Sequence, residues 1–259
     1  MDDAPDMKIA VCIKQVPTRE WQPRLSDDKT WIREQDVSYE MNEPDAYALE
    51  EALRLRERHG GEVVACSAGP ARVQQILREA LARGADRALH VESDALAAAD
   101  AFVTGTALAG AMADEKFDLV LTGLQSDDQG HAQTGVVLAE RLGIPHSTII
   151  MEVQVEDSRL RVKRELEGGW FQWIAMPPPA LLTIQSGINQ LRYATLKGIM
   201  AAKKKEIRQV QPPAGLQPSQ RIVTLAMPSR TKETQIIGGS PSEAAKELVR
   251  RLRDEARAL

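Results

Sequence analysis

Short apolar runs alternate with amphipathic stretches along the first half of the chain. Continuous aliphatic runs with charged or turn-forming ends are typical of strands buried on both faces. Four such runs occur, at Lys8–Lys14, Glu62–Cys66, Arg87–Val91 and Asp118–Gly123. Helical patterns follow them at Pro44–His59, Pro70–Leu81, Ala97–Lys116 and Thr134–Leu142. This alternation predicts an α/β fold with a doubly wound, mostly parallel sheet.

After Pro145 the hydrophobic period changes to two. The stretches Ile149–Val155 and Leu160–Leu166 alternate around Asp157 and Ser158, which predicts a hairpin. Trp170–Ile174 is expected to add a third antiparallel strand. The sheet should therefore carry an antiparallel hairpin extension.

From Gly187 onward the apolar content is too low for a separate core, and Pro212, Pro213, Pro218 and Pro228 indicate an extended linker. Ser240 followed by Pro241 and Glu243 predicts a helix that begins with a capping box. We expect residues 1–188 to form the α/β domain and 189–259 a long C-terminal arm ending in this helix. The apolar stripe of the helix needs a surface to cover it, and the pattern leaves two, a partner chain or the protein's own body.

Composition excludes several classes of function. The 259 residues carry a net charge of −4, which argues against general nucleic-acid binding. Cys12 and Cys66 lie in predicted strands, as core residues would, and no metal-ligand spacing is present. The acidic N-terminus lacks the pattern of a signal peptide, and no apolar run reaches membrane-spanning length. We expect no membrane insertion and a cytoplasmic protein of a bacterium.

A polar loop joins the fourth predicted strand to the helix at Thr134. Ligands of open α/β sheets bind at such strand ends, and a helix N-terminus suits a phosphate. An ordinary capped helix explains the spacing at least as well, since this is neither a Walker A nor a GxGxxG pattern. Asp127 and Asp128 disfavour an adjacent phosphate, so they would face solvent or accept from ribose hydroxyls or loop amides. His131 is interpreted as a surface histidine.

Two other segments carry candidate binding residues. Asn42 and Glu43 open the first helix and could bond an adenine edge or ribose, although helix capping by Asn42 or Asp45 explains this segment at least as well. Leu196, Ile199 and Met200 lie beside cationic residues, as in a protein-docking surface, while the lysines at 203–205 could simply be a solvated helix end.

Several motifs, in order, resemble those of electron-transfer flavoprotein beta subunits. The most specific runs from Asn189 to Met200 and is followed by three lysines, with Leu191 where the family usually has proline. Others are Met41-Asn42, Ala68-Gly69-Pro70, Gly84–Arg87, Gly123–Gly135 and Arg164–Gly169. The similarity covers nearly the whole chain.

The resemblance implies a structural AMP in this subunit. The positions that carry over are Cys12 (through its backbone), Asn42, Glu43, Ala68, Gly123, Gln125, Ser126, Gln133 and Thr134. Ala68 stands where relatives often have cysteine, so only its backbone contact transfers. The loop between Asp127 and Ala132 lines the same site.

The resemblance also implies partners and a role. The arm would wrap an alpha subunit that carries FAD. Flavoprotein dehydrogenases, such as acyl-CoA dehydrogenases, would dock at Tyr193, Leu196, Ile199 and Met200. Electrons would pass through the FAD to a quinone oxidoreductase and the respiratory chain, so the chain would be a carrier subunit and not an enzyme. Two alternatives remain: an electron-bifurcating type with a second FAD in place of AMP, and a stand-alone enzyme that uses an adenine nucleotide.

Overall fold

A computed structural model of the protein describes residues 6–156, 159–228 and 234–258. The strands within these ranges are β1 (Met7–Cys12), β2 (Gln15–Pro17), β3 (Tyr39–Met41), β4 (Gly61–Gly69), β5 (Arg87–Glu92), β6 (Leu119–Gly123), β7 (His146–Glu156), β8 (Arg159–Glu165), β9 (Phe171–Met176), β10 (Ala180–Ile184) and β11 (Ile207–Val210). The α-helices are α1 (Glu43–His59), α2 (Gln74–Arg83), α3 (Ala101–Met112), α4 (Thr134–Leu142), α5 (Leu196–Ala202) and α6 (Pro241–Asp254).

Nine of the described strands form one sheet in the order β11–β5–β4–β1–β6–β10–β7–β8–β9. Each pair from β11 to β7 is parallel, and the pairs β7–β8 and β8–β9 are antiparallel. In the centre, Val11 lies beside Ala65 on one side and Leu121 on the other. The doubly wound, mostly parallel sheet with an antiparallel extension is thus confirmed. The predicted turn at Asp157 and Ser158 lies outside the described residues.

The sheet is covered by helices on both faces. One buried cluster joins α1 and α2 to the sheet through residues such as Leu49, Leu53 and Leu77, and a second joins α3 and α4 through residues such as Leu108 and Leu138. Full burial of a leucine contributes roughly 2 kcal/mol. Because aliphatic residues fill both clusters, the low aromatic content of 4% is no obstacle to a large core.

Local signals fix most of the element boundaries. Helix α1 has a proline in its first turn and ends at Gly60, whose φ is 79°. Helix α3 is shorter than the Ala97–Lys116 pattern predicts, because the Asp100 carboxylate accepts from Val103 N at 2.8 Å and so caps the helix there.

The sequence did not predict two small strand pairings. The polar segment before α1 ends in β3, which pairs with β2 in an antiparallel two-stranded sheet of the described chain. Strand β11 pairs in parallel with β5, with Ile207 beside Ala88. The chain that follows α5 therefore returns to the margin of the main sheet.

The contacts divide the chain into two compact units. The first ends at Thr224 and contains the sheets and helices α1 to α5, and the second is Leu225–Leu259. The predicted capping box at α6 is confirmed, with Glu243 N donating to the Ser240 hydroxyl and Ser240 N donating to the Glu243 carboxylate. The predicted division at 188/189 concerns packing on a partner and stays a prediction. In the described ranges, we find no helix that is long and apolar enough to cross a membrane.

Candidate functional site

The sheet order reverses between β1 and β6. From β1 the chain continues to β4 and β5 on one side, whereas β6 and β10 lie on the other side. The carboxyl ends of β1 and β6 are neighbours, with Cys12 beside Thr122. In open α/β sheets this switch point is where a crevice forms and a ligand binds.

Asp45 holds the two sides of this crevice together. Its carboxylate accepts from the backbone N–H of Lys14, just after β1, at 2.7 Å and from Gly123 N, at the end of β6, at 2.8 Å. Burial raises the pKa of Asp45 to about 6, although both amide donors favour the charged form. The first turn of α1 is thereby bonded to both strand ends.

Asn42 fixes the loop that follows β6. Its side-chain amide donates to Gln125 O at 3.0 Å, and its side-chain oxygen accepts from Asp127 N at 2.9 Å. The Asn42 side chain is buried, and the Glu43 backbone N–H donates to the Asp127 carboxylate at 3.3 Å. The structure thus brings four predicted site residues, Asn42, Glu43, Gly123 and Gln125, into one hydrogen-bonded rim.

Lys14 neutralises part of the acidic loop. Its ammonium donates to both oxygens of Asp128, at 2.7 and 2.8 Å, and to the Ser126 hydroxyl at 3.3 Å. Arg19 pairs with Glu43 and lies 3.7 Å from Asp127. Both aspartates are exposed, as one of the predicted roles requires, and both also accept from backbone amides, Asp127 from Glu43 N at the start of α1 and Asp128 from Gln129 N in the loop.

Helix α4 opens toward the crevice at Gln133 and Thr134. Among the residues that the structure describes, no side chain caps this helix, so its first N–H groups are available to an acceptor. A Cβ at Gly135 would lie 2.7 Å from the Thr122 hydroxyl and 2.8 Å from the Thr183 methyl group. Because residue 135 is glycine, the start of α4 can lie this close to the strand ends. The free N–H groups of the helix start then lie at the crevice, where they suit an anion.

The remaining predicted residues lie at the same edge of the sheet. Cys12 ends β1 and is buried, and burial, together with neighbouring Cys66 and Asp45, raises the pKa of its thiol well above the ordinary value. Ala68 lies near the end of β4 and is half-buried. The buried, free thiols of Cys12 and Cys66 confirm the prediction that both are core residues.

Two functional residues were not among the predicted site residues. Lys14 was visible only as the charged end of the first apolar run, and Asp45 only as a possible helix cap. Both act across long sequence separations, Asp45 reaching Gly123 and Lys14 reaching Asp128. The one local signal for Asp45 was its position directly after Pro44, in the first turn of the largely buried helix α1.

The predicted docking residues lie on the surface. The exposed fractions are 90% for Tyr193, 84% for Leu196, 44% for Ile199 and 62% for Met200. Thr195 caps α5, with Gly198 N donating to its hydroxyl at 3.0 Å. Exposed apolar side chains clustered in this way are typical of an interaction surface.

Two grooves flank α1, and neither contains the predicted nucleotide residues. One, of about 490 Å³, lies beside the docking residues and is lined in part by Glu50, Arg192 and Tyr193. The other, of about 540 Å³, lies between α1 and β7. Residues 127–133 are exposed, so the predicted nucleotide site is an open edge of the sheet and not an enclosed cavity.

The fold defines an open, doubly wound α/β protein, with a candidate ligand site at its switch point. Comparison with known proteins is more specific: residues 29–214 match the model of the electron transfer flavoprotein domain. The chain belongs to the electron transfer flavoprotein family, as one of its beta subunits. The resemblance seen in the sequence motifs is thereby confirmed.

The relatives are similar over nearly their full length. Electron transfer flavoprotein subunit beta of Methylophilus methylotrophus is 38% identical, over 93% of this chain and 96% of the relative. The subunit of the same name from Thermoanaerobacterium thermosaccharolyticum is also 38% identical, over 95% and 98%. The human subunit is 34% identical over 97% and 99%. Membership in this family supports a role in electron transfer.

Proposed function

We propose that the chain is the beta subunit of a heterodimeric electron carrier and holds AMP in the crevice between β1 and β6. The observation that carries this proposal is the preformed rim, in which Asp45 joins both strand ends and Asn42 holds the loop. The uncapped start of α4 suits the phosphate, and Lys14 offsets the charge of Asp128.

The residues present fit an adenine nucleotide in other respects. The Gln133 and Thr134 side chains lie at the start of α4, where they can donate to phosphate oxygens, and the Glu43 carboxylate can accept from ribose hydroxyls. AMP itself carries no redox chemistry, so its role is to fill and stiffen the crevice. This chain is then a platform and not an enzyme.

The second half of the proposal concerns partners. An alpha subunit would bind FAD, which supplies the electron-carrying chemistry, and would receive the part of the 189–259 arm that follows β11. The exposed side chains of α6, with Leu248 at 49% and Val249 at 44%, support packing on another chain. Flavoprotein dehydrogenases such as acyl-CoA dehydrogenases would dock at Leu196, and a quinone oxidoreductase would accept the electrons, with the carrier in the bacterial cytoplasm.

Nucleotide content tests the first half. The heterodimer is purified, denatured and analysed by chromatography and visible absorption. We expect one AMP and one FAD per heterodimer, with this chain colourless when separated. Two flavins would instead indicate the electron-bifurcating type, and turnover of ATP by the isolated chain would indicate an enzyme. An empty crevice in a chain that binds no flavin-bearing partner would contradict the proposal.

A Leu196→Ala variant tests the docking surface. Because Leu196 is 84% exposed, its truncation should leave the fold intact and remove an apolar anchor. We expect the KM of the heterodimer with a reduced dehydrogenase to rise about tenfold, equivalent to about 1.4 kcal/mol of binding free energy. The matched control is Leu166→Ala, at a leucine that is 40% exposed and directly follows β8. Equal KM values for the two variants would refute the anchor.

A further inference from the structure

The segment that leads to the docking residues is bonded to α1. The Asn189 amide donates to Tyr47 O at 3.1 Å and to the Glu51 carboxylate at 3.2 Å. Arg54 donates to Gln190 O at 3.1 Å. The path of the chain is therefore fixed against the helix just before the exposed residues begin.

Arg192 makes the strongest of these attachments. Its guanidinium donates to the Glu50 carboxylate at 2.6 and 3.1 Å and to the Glu57 carboxylate at 2.6 and 3.1 Å. The Glu50 side chain is only 5% exposed and also accepts from Arg54 at 2.8 Å. Burial opposes ionisation of Glu50, but the bonds from both arginines prevail and lower its pKa. Forked, charge-assisted bonds of this kind fix orientation as well as position.

The far side of the docking surface is held by a different helix. A Cβ at Gly198 would collide with Ala82 O, so α5 lies directly on α2. Arg78 donates to Ala202 O and to Lys205 O, each at 2.6 Å. Tyr193 and Leu196 thus lie between two anchors, Arg192 on α1 and the body of α5 on α2, while their own side chains remain exposed.

We propose that Arg192 is a positioning residue that presents Tyr193 and Leu196 to the dehydrogenase. An exposed loop loses conformational freedom when it binds, and a loop already held in place loses less. Tyr193 follows Arg192 directly, so the fork to Glu50 and Glu57 sets the direction in which the exposed side chains leave the surface. This inference rests on the proposed docking function and adds to it the residue that orders the docking surface.

The test uses the flavin-loaded heterodimer and a flavoprotein dehydrogenase that reduces the wild type. For Arg192→Gln we expect KM to rise about five- to tenfold with kcat nearly unchanged, since only docking is affected. Arg192→Lys keeps the charge but not the fork and should fall between wild type and Arg192→Gln. The matched control is Arg87→Gln, because Arg87 forms the same kind of fork, to Glu62 and Glu115, and none of its described hydrogen bonds is with residues 189–200.

Hydrogen exchange separates positioning from direct contact. Amides of residues 189–200 should exchange faster in Arg192→Gln and at the wild-type rate in Leu196→Ala. The double variant should lose less binding free energy than the two single variants added together, because Arg192 acts in part through Leu196. If Arg192→Gln does not fold, Glu57→Gln serves, since Glu57 is half exposed and its loss leaves the bonds to Glu50.

The outcomes are distinct for the two proposals. Two outcomes would overturn the positioning role alone. One is a raised KM in Leu196→Ala with a wild-type KM in Arg192→Gln. The other is a double variant whose loss of binding free energy equals the sum of the two single losses. A wild-type KM in Leu196→Ala would overturn the docking function, and the positioning role falls with it. A raised KM and faster exchange in Arg192→Gln, with both quantities unchanged in Arg87→Gln, is the supporting result.

Discussion

Gly123→Ala should destabilise the protein by about 2 to 3 kcal/mol, the upper range for overpacking a filled site. The added Cβ would lie 2.5 Å from an Asp45 carboxylate oxygen and 2.7 Å from both the Cβ and the carbonyl carbon of Pro44. Backbone cannot move aside as a side-chain tip can, so α1 or the end of β6 must shift. Asp45 would then lose its bond to the Gly123 amide, and the proposed AMP should be lost as well.

Thermal unfolding and nucleotide content measure this effect. At about 2 to 4 °C for each kcal/mol in a chain of this size, the midpoint should fall by about 5 to 10 °C. The matched control is Gly238→Ala, because no described atom lies within 4 Å of a Cβ built there. Midpoints that agree within about 1 °C for the two variants would show that the rim tolerates a methyl group.

Asp45→Asn should have the second large effect. The asparagine oxygen can accept from only one of the two amides, and its NH₂ group would face the other donor inside a buried site. An unsatisfied buried donor costs roughly 1 to 3 kcal/mol. We expect lower stability and weaker retention of the proposed AMP at neutral pH, measured by chemical denaturation and by the nucleotide released on gel filtration.

The difference between wild type and Asp45→Asn should also depend on pH. The pKa of Asp45 is about 6 in the folded protein and 3.8 in its unperturbed state, so folding takes up a proton between these values. Well above pH 6 the carboxylate is ionised in both the folded and the unfolded protein, so it does not make the free energy of unfolding depend on pH. As the pH falls from 6 to 4, the free energy of unfolding of the wild type rises by up to about 3 kcal/mol relative to that of the variant. A constant difference from pH 4 to 8 would contradict the shifted pKa.

The sequence predicted those parts of the fold that leave a local pattern. Strands β1, β4, β5 and β6 are apolar runs with clear ends, and the α1 and α6 starts carry their own capping and proline signals. Strand β11 has four residues with Arg208 and Gln209 exposed in its middle, so it has no buried run to detect. Its structure comes from pairing with β5, which only the tertiary fold supplies.

The position of the candidate site could be predicted from the sequence, but the hydrogen bonds that form it could not. Strand order locates the crevice, and the family resemblance supplies the residue numbers. The bonds that build the rim join positions far apart in the chain, such as Asp45 with Gly123 and Asn42 with Asp127. No periodicity or spacing encodes such pairs, so the roles of Asp45 and Lys14 required the three-dimensional structure.

The return of the chain to the sheet at β11 has a mechanical consequence. Residues 185–206 leave β10 and re-enter beside β5, five strand spacings away, which is about 24 Å. This segment contacts α1 and α2 and continues at both ends into strands of the main sheet, β10 in its interior and β11 at one edge. A force applied at Leu196 is therefore shared between β10 and β11, and the segment has no free end that could swing away.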